Sequence, residues 1–185
     1  MKIGNIILYK NIKAFLSCVQ RTILGTIYSH LSIYIGKDEL NLPMEFEANV
    51  QVDRTTFHYN PEHQDIFEII GVPEDVMKEV MTELIQELEE KTYSFIAWIA
   101  IALRRLFEAL GFKKAKGWNI LWGWGIHCTE IGWHQFDKLD KKEWDKPQGW
   151  KLFIYKVRLI NPNLFHPGDC QELTTQFRDI IFRKV

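Results

Sequence analysis

The sequence predicts an α+β protein, a small antiparallel sheet or barrel packed against helices. Three observations carry that prediction. β-rich apolar runs gather near the N-terminus, helical periodicity dominates the middle, and the elements follow the order β-α-β-β(-β)-α-α-α-β. No repeat, low-complexity tract or linker divides the 185 residues, so residues 1–185 read as one domain.

The elements follow in order. Ile3 to Tyr9 is apolar and β-rich, the pattern of a buried strand. Ile12, Phe15, Leu16, Val19 and Ile23 then recur on one helical face, and Gly25 closes that helix. Tyr28 to Gly36 reads as a second strand, with His30, Ser32 and Tyr34 on one face and Leu31, Ile33 and Ile35 on the other. A turn at Gly36 to Glu39 leads to a third strand around Met44 to Val52, pairing back as a hairpin. Glu45, Glu47 and Asn49 share one of its faces. Residues 53–64 look like loop, and Asp65 to Ile70 like a further strand.

Pro73, with Glu74 and Asp75 behind it, opens a long helix. A second helix, Ser94 to Leu110, is apolar nearly all round and is expected to be buried, with Gly111 ending it. Thr129 to Leu139 is a short helix, and Leu152 to Ile160 reads as a late strand.

Composition narrows the function. The chain is 46% hydrophobic and 25% charged, ordinary for a globular protein. A formal net charge of -1 supplies no field for a polyanion, so nucleic acid is not an expected partner. The basic cluster Arg104, Arg105, Lys113, Lys114 and Lys116 reads as a helix C-terminus followed by a solvated loop. Three cysteines at scattered positions suit a reducing compartment better than a disulfide framework. Neither a signal peptide nor a transmembrane segment is legible, and a cytoplasmic location is expected.

Three places combine titratable groups with defined local geometry: Ser29-His30, Glu45 with Glu47, and Cys128. A thiol becomes a strong nucleophile as its thiolate, which a helix N-terminus and a nearby imidazolium both stabilise. Cys128 stands where a helix begins. His30 titrates in the range needed to take and return a proton. A carboxylate on the neighbouring strand can fix its tautomer. Taken singly, each residue has a plainer reading: Cys128 as a small core hydrophobe, His30 as a structural histidine, the glutamates as a solvated strand face. His127, Cys128 and His134 also invite a zinc reading, but no second ligand pair of familiar spacing accompanies them, so no metal or cofactor is expected.

Together these segments resemble a known family. Gly4-Asn5-Ile6-Ile7-Leu8, Tyr28-Ser29-His30-Leu31-Ser32-Ile33-Tyr34-Ile35-Gly36, Glu47-Ala48 followed by Val50, and Cys128-Thr129-Glu130-Ile131 are similar to motifs of the permuted NlpC-type papain-like hydrolases, including YiiX-like bacterial and phage proteins. Tyr93 and Pro167-Gly168-Asp169 are weaker matches. Asn5 departs from the family's Asp, Thr129 from its Ser and Asn49 from its Gly. The resemblance implies a circularly permuted papain-like fold and a phage or bacterial source. It also implies Cys128 as nucleophile, His30 as base and Glu47 as third residue, with Glu45, a two-residue register shift away, as the competitor. Tyr28 is expected on the His30 face, lining the site or donating to an oxyanion, or else packing in the core. Trp118, Trp122 and Trp124 either wall a substrate pocket, Trp124 foremost, or pack in the core.

The expected activity is that of a cysteine amidase or peptidase acting through an acyl-enzyme on a small amide, peptide or acyl substrate, with cell-wall peptides as candidates. The alternatives are a lipid acyltransferase or thioesterase on the same fold, and a non-catalytic binding or virion-associated module.

Overall fold

Six strands make one open antiparallel sheet in the order β4-β3-β2-β1-β5-β6. They are β1 (Ile6–Lys10), β2 (Tyr28–Lys37), β3 (Pro43–Ala48), β4 (Val52–Thr56), β5 (Gln64–Ile69) and β6 (Phe182–Lys184). The helices are α1 (Glu74–Leu88), α2 (Cys128–Lys141), α3 (Trp150–Arg158) and α4 (Pro167–Gln176), with a short 3-10 turn at Pro162–Leu164. This computed structural model describes residues 1–10, 22, 25–49, 51–92, 101, 103–104, 106–108, 110–112 and 128–185. The architecture is α+β. The helix anticipated over residues 12–25 and the tryptophan segment 118–124 lie outside the described residues, apart from Thr22 and Gly25.

Strand alternation divides the sheet as the sequence implies. Leu31 and Ile33 of β2 join Ile6, Leu8, Phe46 and Ala48 on one face, where Val80 and Leu84 of α1 and Ile131 and Phe136 of α2 complete the main core. On the opposite face Ile7, Tyr34, Phe57 and Ile66 form a smaller cluster, with Tyr9 packed against it. Phe136 meets Phe153, Phe165 and Phe182 edge-on at centroid separations of 5.0 to 6.5 Å. Such contacts each add about 0.5–1.5 kcal/mol beyond the area buried.

Gly132 lets α2 lie close to β2. A Cβ there would stand 3.1 Å from the Leu31 side chain, so a larger residue would push the helix off the strand. That close approach brings the N-terminal end of α2 to the start of β2.

Three expectations are corrected. Leu152 to Ile160 is not a strand. Trp150, Phe153, Ile154 and Val157 are the buried residues of α3, at i, i+3, i+4 and i+7, while Leu152 and Tyr155 are exposed. The abundance of β-branched and aromatic residues masked a 3.6-residue period, and Gly149, with φ of 93°, supplies the left-handed turn into the helix. Residues 53–64 are not all loop: β4 pairs with β3 from Ala48↔Val52 to Met44↔Thr56.

The third correction concerns the segment ending at Gly111. Its described residues 101, 103–104 and 106–108 are helical, yet it is not apolar and buried all round. Leu103, Leu106 and Leu110 are 40%, 55% and 64% exposed, whereas Arg104 is wholly buried. Arg104 is no solvated helix-end cation. Its guanidinium donates from Nη1 and Nη2 to the two carboxylate oxygens of Asp169, each at 2.7 Å. It also donates to the Leu164 carbonyl at 2.6 Å and to Glu108 at 2.8 Å. Burial alone would raise the Asp169 carboxyl, but His166 and Arg104 hold it down at about 2. The bidentate pair ties the helical segment to the N-terminus of α4, where Asp169 also accepts the His166 amide.

Candidate active site

Cys128 is the first residue of α2 and His30 the third residue of β2. At that helix end backbone N–H groups lack intrahelical partners. The Leu31 and Thr129 backbone amides stand near enough to the Cys128 sulfur to favour its thiolate. Leu31 is available because the ladder between β2 and β3 begins one residue later, at Ser32↔Glu47. Thr129 fixes the turn from the other side, its hydroxyl donating to the Phe165 carbonyl at 2.5 Å.

The thiol and the imidazole meet. Burial by itself would raise Cys128, yet the adjoining His30 and the two amides lower it. Burial would lower His30, but the Cys128 thiolate and the Glu47 carboxylate outweigh it and push His30 up to about 10. Both directions favour a thiolate–imidazolium pair at neutral pH. Cys128 is 3% and His30 9% exposed, so the pair sits just beneath the surface.

Glu47 is the carboxylate at the imidazole. Its Oε2 lies 2.7 Å from His30 Nε2, which leaves the other ring nitrogen for the sulfur. Thr55 of β4 donates to Glu47 Oε1 at 2.8 Å. Burial acts to raise Glu47, but His30 and Thr55 hold it below the usual carboxylate range. Glu45, two residues earlier on the same face, goes elsewhere: it accepts hydrogen bonds from Tyr9 and Ser32. Burial, with Glu47 nearby, raises Glu45 despite those two donors.

Tyr28 does not share the His30 face. The pairing between β1 and β2 runs Tyr9↔His30 and then Lys10↔Tyr28, skipping Ser29, and this irregularity reverses the alternation. Tyr28 therefore joins the main core beside Leu31, and its hydroxyl donates to Asp65 at 2.5 Å. Trp124 lies outside the described residues, as does His127 of the zinc reading. Among the described residues, no group of three or more metal-ligating side chains is placed to hold a metal ion. Cys170 is buried among apolar groups, and that burial, with Asp169 beside it, pushes its thiol far up, the opposite of Cys128.

Sequence reasoning missed Tyr9 and Ser32 as neighbours of the site. Their signal was present: both lie on the His30 face of the sheet, and Tyr9 stands directly across from His30 once β1 and β2 pair. It also missed the Arg104–Asp169 pair, whose members are 65 residues apart in sequence.

Fold and site together define an α+β protein carrying a histidine that touches a cysteine on one side and a glutamate on the other at a helix–strand junction. No protein-family model matches the chain, and no curated protein matches its sequence. No helix among the described residues is long and apolar enough to cross a membrane.

Proposed function

We propose that this protein is a cysteine hydrolase, an amidase or peptidase of the permuted papain-like class, working through an acyl-enzyme on Cys128. The carrying observation is the chain of contacts from the Cys128 sulfur through the His30 ring to Glu47. The Cys128 thiolate adds to the substrate carbonyl, forming a C–S bond and an oxyanion, for which α2 N-terminal amides are the available donors. The oxyanion collapses, the C–N bond breaks, and the His30 imidazolium gives its proton to the departing amine. Neutral His30 then takes a proton from water as its oxygen attacks the thioester. The C–S bond breaks, the acid leaves, and the thiolate–imidazolium pair is restored. Glu47 holds the imidazole in the orientation and tautomer these transfers need.

A second reading is favoured by the exposed residues Leu103, Leu106, Leu110 and Phe112. An apolar surface of this kind suits a lipid acyl donor, making the protein an acyltransferase or thioesterase with the same thiol chemistry. One experiment addresses both. The whole protein is incubated with panels of peptide amides, cell-wall peptides and lipid esters, and Cys128 is examined by mass spectrometry for a trapped acyl group. Acylation of Cys128 by amides supports the hydrolase, and acylation by lipid esters alone supports the second reading. Absence of acylation from both panels, with the thiol free, overturns both.

A further inference from the structure

Beside the thiol, imidazole and carboxylate lies a second set of polar contacts with no part in the steps above. Tyr9 of β1 sits across from His30 of β2, and their rings stand 5.4 Å apart, tilted by 57°. The Tyr9 side chain extends across β2 to β3, where its hydroxyl donates to Glu45. Ser32, which lies under that span, donates to the same Glu45 oxygen. Tyr9 is therefore fixed at both ends, by its backbone in β1 and by its hydroxyl on β3.

We propose that Tyr9, anchored through its hydroxyl on Glu45 and Ser32, is a positioning residue that holds the His30 ring against Cys128 and Glu47. This inference rests on the proposed cysteine chemistry. The physical case is steric. The His30 ring turns on its Cα–Cβ and Cβ–Cγ bonds, and the contacts of its nitrogens with Glu47 and Cys128 still leave it some freedom of tilt within their broad angular tolerance. A neighbouring aromatic surface removes that freedom. An untethered phenol ring could swing away through its own side-chain torsions. Among the described residues, the titratable groups facing His30 are Cys128 from α2, Glu45 and Glu47 from β3, and Tyr9 from β1. Burial, with Glu47 nearby, raises the Glu45 carboxyl, and burial beside Glu45 raises the Tyr9 phenol.

The test follows alkylation of Cys128 in the whole protein by iodoacetamide, in which the thiolate displaces iodide, as a function of pH. Tyr9→Phe keeps the ring and removes the anchor. It is expected to move the acid midpoint of Cys128 alkylation upward by about half to one pH unit, because a tilting imidazolium stabilises the thiolate less. Tyr9→Leu moves it further. Glu45→Ala reproduces the Tyr9→Phe shift, while Glu45→Gln, whose amide oxygen still accepts from Tyr9, shifts the midpoint less than Glu45→Ala. A merely structural role changes the melting temperature and leaves every midpoint in place. A Tyr9→Phe midpoint equal to wild type overturns the proposal, and that variant, being nearly isosteric, carries the test if Tyr9→Leu does not fold. Failure of the underlying reading looks different: wild-type Cys128 itself then shows no alkylation at pH values below the ordinary thiol range.

Discussion

Glu47 reaches the His30 imidazole at 2.7 Å, while Glu45, on the same face of the same strand, is held by Tyr9 and Ser32 instead. The register Ser32↔Glu47 and Tyr34↔Glu45 makes that assignment, since it places Glu47 nearer the start of β2 where His30 stands. Two chemically identical side chains thereby acquire different partners and opposite shifts in acidity.

Removal of Cys128 as C128A is expected to abolish acyl-enzyme formation, with the fold intact by circular dichroism. H30A should slow turnover by about 10²–10⁴-fold, the usual contribution of a positioned general acid–base. E47Q should cost at least about tenfold, because the imidazole loses the ionised partner that fixes its tautomer. E45Q should cost much less than E47Q. Steady-state kinetics on whichever substrate acylates Cys128 checks the order, and equal losses for E45Q and E47Q count against it.

The pH dependence has a definite sign. Cys128 is lowered, so thiolate persists, and activity holds, below the ordinary thiol range. His30 is raised to about 10, so the imidazolium that protonates the leaving group persists until pH rises through that value. Turnover should trace a broad bell whose alkaline limb lies near pH 10, since both groups must keep their charges. A pH–rate profile falling off near pH 6.5 to 7 on the alkaline side contradicts this charge state.

Gly132→Val should lower stability by about 1–3 kcal/mol, the usual cost of overpacking. The added atoms meet Leu31, which carries one of the amides near the Cys128 sulfur. Slower alkylation of Cys128 at mildly acidic pH should accompany the loss. Denaturant unfolding and the alkylation rate, measured on one sample, check both effects.

Arg104→Met leaves Asp169 charged and buried without its bidentate partner, and should lower stability by about 3–5 kcal/mol. Replacing both members, as R104M with D169L, should cost less than the two single changes added together. Urea unfolding of the four proteins in the cycle supplies the comparison. Additive losses would mean the pair is not acting as a unit.

The sequence alone determined much of this molecule. Alternation from His30 to Ile35 fixed which residues of that part of β2 face the helices, because side chains on a strand change sides at every step. The motif beginning at Cys128 marked the start of α2, and the resemblance singled out His30, Glu47 and Cys128. Local periodicity misled where composition and period disagreed, as in α3, whose aromatic and β-branched residues hid helical spacing.

Tertiary structure decided the rest, and always for the same reason: the deciding contact joins segments far apart in the chain. A skipped residue in the pairing of β1 with β2 turned Tyr28 toward Asp65 and the core. Strand register chose between Glu45 and Glu47. The burial of Arg104 depended on an aspartate 65 residues away. A charge that local sequence assigns to solvent can be buried only when a distant partner arrives to neutralise it, and no window along the chain contains both.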